Sequence, residues 1–317
     1  MAMSPSAPPI RAEFDPCVAL PSLAALRAAV REDDWDTVEA YFDFLDHEDD
    51  RAVAAGVVDR MSVSQRFLER AVATRPHSAL ARTLLARRYI VVGWDVRSAY
   101  TAEHVSREQF QEFHAWLRRA EQLLIEVCAE HPGYAMAWAA RLTTARGLQL
   151  GPSEVRRRYE RLAENHPHHI AAQSSLLQRL CPKWGGSWEE AHAFVGACVE
   201  SAPPGSHAGR LVAEVHLERW LDDSGEGHSR HLRSAQVRDE ILAAAARSVQ
   251  HPDYRPGFDW VADHNTFAGA LCLGGHHREA APFFRTLGDK ATASPWEHVG
   301  DKEVQFLKHR RTALAKG

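Results

Sequence analysis

The sequence predicts an all-α protein built from repeated helical hairpins. Three observations carry this expectation: helical periodicity runs from Leu20 onward with no strand pattern of comparable quality, prolines directly follow many helical segments, and those prolines recur at a regular interval in the middle of the chain. In residues 113–129, Trp116, Leu117, Ala120, Leu123, Leu124 and Val127 share one face while Arg, Glu and Gln occupy the other. Arg75-Pro76, His131-Pro132, His166-Pro167, Ala202-Pro203 and His251-Pro252 each read as a helix stop, because the proline ring pushes the preceding residue out of the α region.

Pro132 to Pro167 is 35 residues and Pro167 to Pro203 is 36, close to the roughly 34 of a tetratricopeptide repeat. Pro76 to Pro132 is 56 and Pro203 to Pro252 is 49, each of which reads as one unit with an insertion. Counting back twelve, eight and five residues from the prolines gives Ser64, Leu68, Ala71; Ala120, Leu124, Val127; Val155, Tyr159, Leu162; and Ala191, Val195, Cys198. All but Ser64 are apolar, at the places where the second helix of a hairpin meets its neighbours. A first unit pairs Ala25, Leu26 and Ala29 with Val38, Phe42 and Leu45. A last unit pairs Phe267, Ala268 and Leu271 with Ala280, Phe284 and Leu287 across Gly274-Gly275. Trp138 falls on the aromatic position that opens the first helix of a unit, whereas the unit around Pro252 fits poorly. The expectation is a tetratricopeptide-like α-solenoid of about six to seven hairpins, in which stacking buries the face that no hairpin can bury alone. A compact, non-repetitive bundle is the alternative.

Composition sets the class. The chain has 317 residues, 45% hydrophobic and 25% charged, which is ordinary for a globular protein and excludes collagen-like and disordered classes. A net charge of -4 gives no global attraction to nucleic acid, and no run approaches the ~18 apolar residues of a membrane helix. Five cysteines (Cys17, Cys128, Cys181, Cys198, Cys272) without a C-x-x-C pair read as reduced thiols, hence a cytoplasmic protein. Residues 1–18 are expected to be a disordered tail. Residues 19–317 would form a single helical-repeat domain capped by a C-terminal helix over 302–315, basic on one side and apolar through Val304, Leu307 and Leu314.

Three segments add a likeness. GWDVRSAYTAEHVSREQFQEFHAWLRRAEQLL (93–124), KWGGSWEEA (183–191) and GGHHREAAPFFRTLGDKATASPW (274–296) together resemble a bacterial domain-of-unknown-function family of tetratricopeptide-like helical proteins. The resemblance spans roughly residues 80–296 and implies an all-helical fold. It implies no reaction, cofactor or catalytic residue.

Candidate residues fall in three groups. Lys183 and Trp184 precede Gly185-Gly186, and Ser187 with Glu190 makes a capping box for the next helix. The turn either only caps that helix or also offers backbone N–H groups and Lys183 to an anion. Residues 93–104 read as an insertion lengthening a loop, where Trp94, Arg97 and Tyr100 either contact a ligand or seal the edge of the array. The repeat register places Thr83 and Arg87, Thr143 and Arg146, Ser174 and Gln178, Arg210 and Glu214, and Asn265 on the concave face. Arg87, Arg146 and Arg210 there make a basic groove, unless they pair with neighbouring Glu.

Nineteen histidines invite a metal, but His131, His166 and His251 follow helix ends, where a cation meets the negative end of the helix dipole. The groups His166-x-His168-His169, His228-x-x-His231 and His276-His277 match no zinc signature. No metal, cofactor or catalytic residue is expected from the sequence. The leading expectation is a non-enzymatic interaction module that binds a protein or peptide partner, preferentially acidic. Arg87, Arg146 and Arg210 would supply charge-assisted hydrogen bonds, with Gln178 and Asn265 satisfying the peptide backbone. The competing expectation is a small-molecule- or metal-dependent enzyme with a pocket near 93–104 and 183–188.

Overall fold

A computed structural model of the protein describes residues 11–98, 104–223 and 230–317. Its regular structure is helical, with one isolated parallel bridge between Glu13 and Lys290. Among the described residues the helices are α1 (Pro16–Ala19), α2 (Ser22–Arg31), α3 (Trp35–Asp43), α4 (Glu48–Asp59), α5 (Ser64–Thr74), α6 (Ala79–Arg97), α7 (Arg107–Glu130), α8 (Ala135–Gly147) and α9 (Pro152–Ala163). They continue with α10 (Ile170–Leu180), α11 (Trp188–Ser201), α12 (Arg210–Asp222), α13 (Arg230–Arg233), α14 (Ala235–Arg247), α15 (Trp260–Leu273), α16 (His277–Leu287) and α17 (Lys302–Lys316).

The ends of these helices follow from local chemistry. Ser78, Ser106 and Ser187 accept backbone N–H groups of the first turns of α6, α7 and α11, and Ser106 with Gln109 completes a capping box. Arg75, His131 and Ala202, each preceding a proline, are the C-caps of α5, α7 and α11. His251 lies beyond the end of α14 at Arg247, in the region where the repeat pattern is weakest.

Helices adjacent in sequence pack on one another from α4 to α17, and even-numbered helices also touch the next even-numbered one from α2 to α12. The residues at fixed offsets from the prolines form the seam. Ser64, Leu68, Ala71, Ala120, Leu124, Val127, Val155, Leu162, Ala191, Val195 and Cys198 are all buried, with Tyr159 partly so. The single polar member, Ser64, is satisfied by donating to Met61 O at 2.8 Å. The C-terminal cluster is the most aromatic: Phe267, Phe283, Phe284, Trp296 and Phe306 are fully buried, each Phe stabilising by about 2–3 kcal/mol. Phe306 and Ala313 seat α17 on this cluster, whereas Val304 is exposed.

Two expectations are corrected. Residues 1–10 lie outside the described residues, but 11–18 are docked. Glu13 N–H donates to Asp289 O at 2.7 Å, Ala291 N–H donates to Glu13 O at 2.9 Å, and Phe14 meets Phe306 edge-on. The N-terminal segment therefore closes against the C-terminal helices. Secondly, residues 93–97 are not loop: α6 runs on to Arg97, and the long proline interval is filled by two extended helices, α6 and α7, of 19 and 24 residues. Tyr100 lies outside the described residues.

Helices distant in sequence also meet. Helix α4 touches α8 and α10. Asp49 Oδ1 accepts the Ile170 N–H at 2.9 Å, and Asp50 Oδ1 accepts the Phe258 N–H at 2.6 Å. These contacts link residues far apart in sequence.

Candidate anion-binding site

Five of the residues singled out in the sequence converge. The last turn of α6 carries Trp94 and Arg97, and the last turn of α8 carries Arg146. A 3-10 turn at Pro182–Trp184, after α10, brings in Lys183 and Trp184. Two glycines make the approach possible. A Cβ on Gly147 would lie 2.4 Å from Leu117 Cδ1, so α8 reaches α7 this closely only without a side chain there. Gly186 packs against Leu180 O, where a Cβ would clash at 2.0 Å.

The Arg146 guanidinium lies 5.5 Å from the Trp94 ring centre and 5.6 Å from that of Trp184, with the two indoles 6.4 Å apart at 87°. Arg97 stands 5.5 Å from Trp94 as well. Arg146 forms no ion pair or side-chain hydrogen bond among the described residues. Its Nε, like Nε1 of Trp94, is shut off from solvent without a partner, although the side chain as a whole retains some exposure. Burial lowers the guanidinium's pKa from its ordinary value, opposed by the charge of Glu218. An arginine remains charged under such a shift, so the fold bears a buried cation without a directly paired carboxylate. Contacts with two indole faces, about 0.5–2 kcal/mol each, offset part of that cost.

Arg146 borders two cavities. The larger, about 570 Å³, is lined by Arg97, Arg179, Lys183, Phe110, Phe113 and Trp184 among others, with no acidic residue in its wall. Within it Arg179 donates to Trp184 O, and Lys183 Nζ pairs with Glu218 at 2.5 Å. The smaller, about 310 Å³, shares Arg146 with it and adds Trp94, Arg87, Thr143 and the acids Asp59 and Asp95.

The remaining predicted groove residues are placed differently. Arg87 faces the smaller cavity but is held by Asp59 Oδ2, 3.0 Å from Nε and 2.7 Å from Nη2. Gln178 is partly buried on α10 and lines neither cavity. Arg210 is not a groove residue. It is buried, with Nη1 donating to Asp259 at 2.8 Å and Asp263 at 2.9 Å, and with Glu214 2.9 Å from Nε. Asn265 is fully buried, donating to Ser294 O at 2.7 Å and accepting from Trp296 Nε1 at 2.8 Å. Ser174 donates to Glu214 at 2.7 Å, and Thr83 is buried.

Sequence reasoning missed Arg179, Phe110 and Phe113. Arg179 lies one turn before Lys183, a basic spacing that was visible; the two phenylalanines read as ordinary core positions of an amphipathic helix.

A second polar cavity, about 860 Å³, is lined by His192, His216, His231 and Glu240 among others. His216 Nδ1 is 3.0 Å from His231 Nε2, and His216 Nε2 is 3.0 Å from Glu240 Oε2. Burial, reinforced by His192 and His231, pushes His216 down to about 4. His228 lies outside the described residues.

No protein-family model, curated protein or solved structure matches the chain.

Proposed function

We propose that the protein is a tetratricopeptide-like helical-repeat interaction module, of the domain-of-unknown-function kind its sequence resembles, that docks an acidic segment of a partner protein. The receptor is the basic cavity beside Arg146, in place of a groove along the concave side. One observation carries the reading: a guanidinium clasped by Trp94 and Trp184, without a carboxylate of its own, beside a cavity walled by further basic groups. A carboxylate side chain of the partner supplies the missing counter-charge, and the indoles hold the guanidinium plane fixed for a bidentate pair. The packing of each even-numbered helix on the next supports the repeat reading. The cavity volume also lies in the range of about 300–1,000 Å³ typical of small-ligand pockets, which favours a small anionic molecule as the second reading.

Calorimetric titration with an end-blocked decapeptide rich in Glu, with its all-Gln counterpart, and with free glutamate and inorganic phosphate separates these readings. Saturable, salt-sensitive binding of the Glu peptide alone, lost in Arg146→Met, is the expected result. A response only to the free anions transfers the site to the small-molecule reading. Absence of saturable peptide binding overturns the docking proposal.

A further inference from the structure

The sequence gives no metal signature, yet the fold gathers a ligand set from three separate helices. Cys272 lies near the end of α15, His277 opens α16, and His309 sits in the middle of α17. One ligand atom from each lies within 4.8 Å of the others. We propose that Cys272, His277 and His309 bind a zinc ion that staples the C-terminal helix α17 to α15 and α16.

The chemistry of each donor fits. His277 Nδ1 is 3.0 Å from Gly275 O, which can only accept, so this nitrogen carries the proton and Nε2 is left with a free lone pair. His309 Nδ1 is shut off from solvent and has no hydrogen-bond partner, an unsatisfied nitrogen that a metal bond would satisfy. Cys272 is buried against the same seam and is a free thiol. His276, the other half of the adjacent pair, is not part of the set: its Nε2 is 3.1 Å from Leu232 O. A thiolate with two imidazoles selects zinc over magnesium or calcium, and three protein ligands leave a fourth position for water.

Binding requires a small contraction. With Zn–S near about 2.3 Å and Zn–N near about 2.0–2.1 Å, tetrahedral ligand atoms stand roughly 3.3–3.6 Å apart. The three donors, within 4.8 Å of one another, therefore close by up to about 1.5 Å. The imidazoles of His277 and His309 are nearly parallel, 5.5 Å between centres at 10°, and must tilt, because an ion lies in the plane of each ring that ligates it. The Cys272 thiol proton is released to solvent as the Zn–S bond forms. Since Phe306 of α17 also holds Phe14, and Glu303 Oε1 accepts the Ala12 N–H at 3.4 Å, a zinc here fixes the helix on which the N-terminal segment docks.

The test uses the full chain without a histidine tag. One tightly held zinc per chain is expected. Cobalt(II) in its place should give tetrahedral visible bands and a near-ultraviolet thiolate charge-transfer band, and zinc but not magnesium should raise the thermal midpoint. Cys272→Ser should abolish the charge-transfer band. His277→Gln, at a partly exposed helix start and checked for intact helicity by circular dichroism, should weaken zinc binding at least tenfold. A wild-type protein with no cobalt–thiolate band, or zinc retained with equal affinity by both variants, overturns the site.

Discussion

Arg146 and Arg210 are the same residue type, both placed by repeat register on the concave face, and they have opposite fates. Arg210 is surrounded by Asp259, Asp263 and Glu214, whereas Arg146 has indoles and, among the described residues, no ion pair. The difference was illegible in sequence, because Asp259 and Asp263 lie 49 and 53 residues from Arg210 and only the packing of α15 on α12 brings them there. Trp94, Lys183 and Trp184 were legible for a local reason: they lie beside glycines that stand out in the helical pattern, although Gly93 proved to be inside α6. The histidines follow the same logic of hidden partners. His216 is neutral in the folded chain because burial and its neighbours His192 and His231 press it to about 4, against an ordinary value of 6.5, while Glu240 opposes the shift. The unfolded chain takes up that proton first, so the contribution is intact above about pH 6.5 and is lost as pH falls toward 4. Urea unfolding across this window should show stability declining with acid. His216→Gln should make the decline shallower by up to about 1.4 kcal/mol per pH unit; an unchanged slope would show that His216 is not the group responsible.

Among the elements, the α7–α8–α9 unit depends most on a buried charge network. Glu121 of α7 accepts from Arg141 of α8 at 2.9 and 3.1 Å, from Arg158 Nη1 of α9 at 3.1 Å, and from Thr144 Oγ1 at 2.5 Å. Two guanidiniums on one buried carboxylate make its loss costly, since Arg141 would be left desolvated without a counter-charge and Arg158 would keep only Glu154. Glu121→Gln should destabilise by about 3–5 kcal/mol in chemical denaturation. Glu164→Gln, removing an exposed pair with Arg161, should cost less than about 1 kcal/mol. Equal costs would refute the network's role. The helices themselves were legible because proline stops and the i, i+4, i+7 seam are local features of the chain. The extension of α6 was not. Gly93 resembles a loop signal, but a Cβ there would come within 3.2 Å of Trp116 Cβ, so the glycine serves the contact with α7 and does not break the helix.

At the level of the whole molecule, the decisive feature is the set of contacts between residues far apart in sequence. Here Asp49 and Asp50 of α4 cap backbone groups at Ile170 and Phe258, and residues 11–14 dock against α17 and the segment after α16. Periodicity in sequence reports each hairpin and its neighbour, and it carries no information about how far the stack curves. The all-helical class could therefore be read, whereas the contacts of α4 with Ile170 and Phe258 could not. The basic cavity lies at the ends of α6 and α8, beside a buried guanidinium without an ion pair among the described residues. The most direct test is a paired measurement on Arg146→Met, which keeps the packing of the stem and removes the charge. Unfolding free energy within about 1 kcal/mol of wild type or higher, together with loss of Glu-peptide binding, is the predicted result. A loss of several kcal/mol with peptide binding intact would contradict it, making Arg146 a structural residue and the cavity incidental.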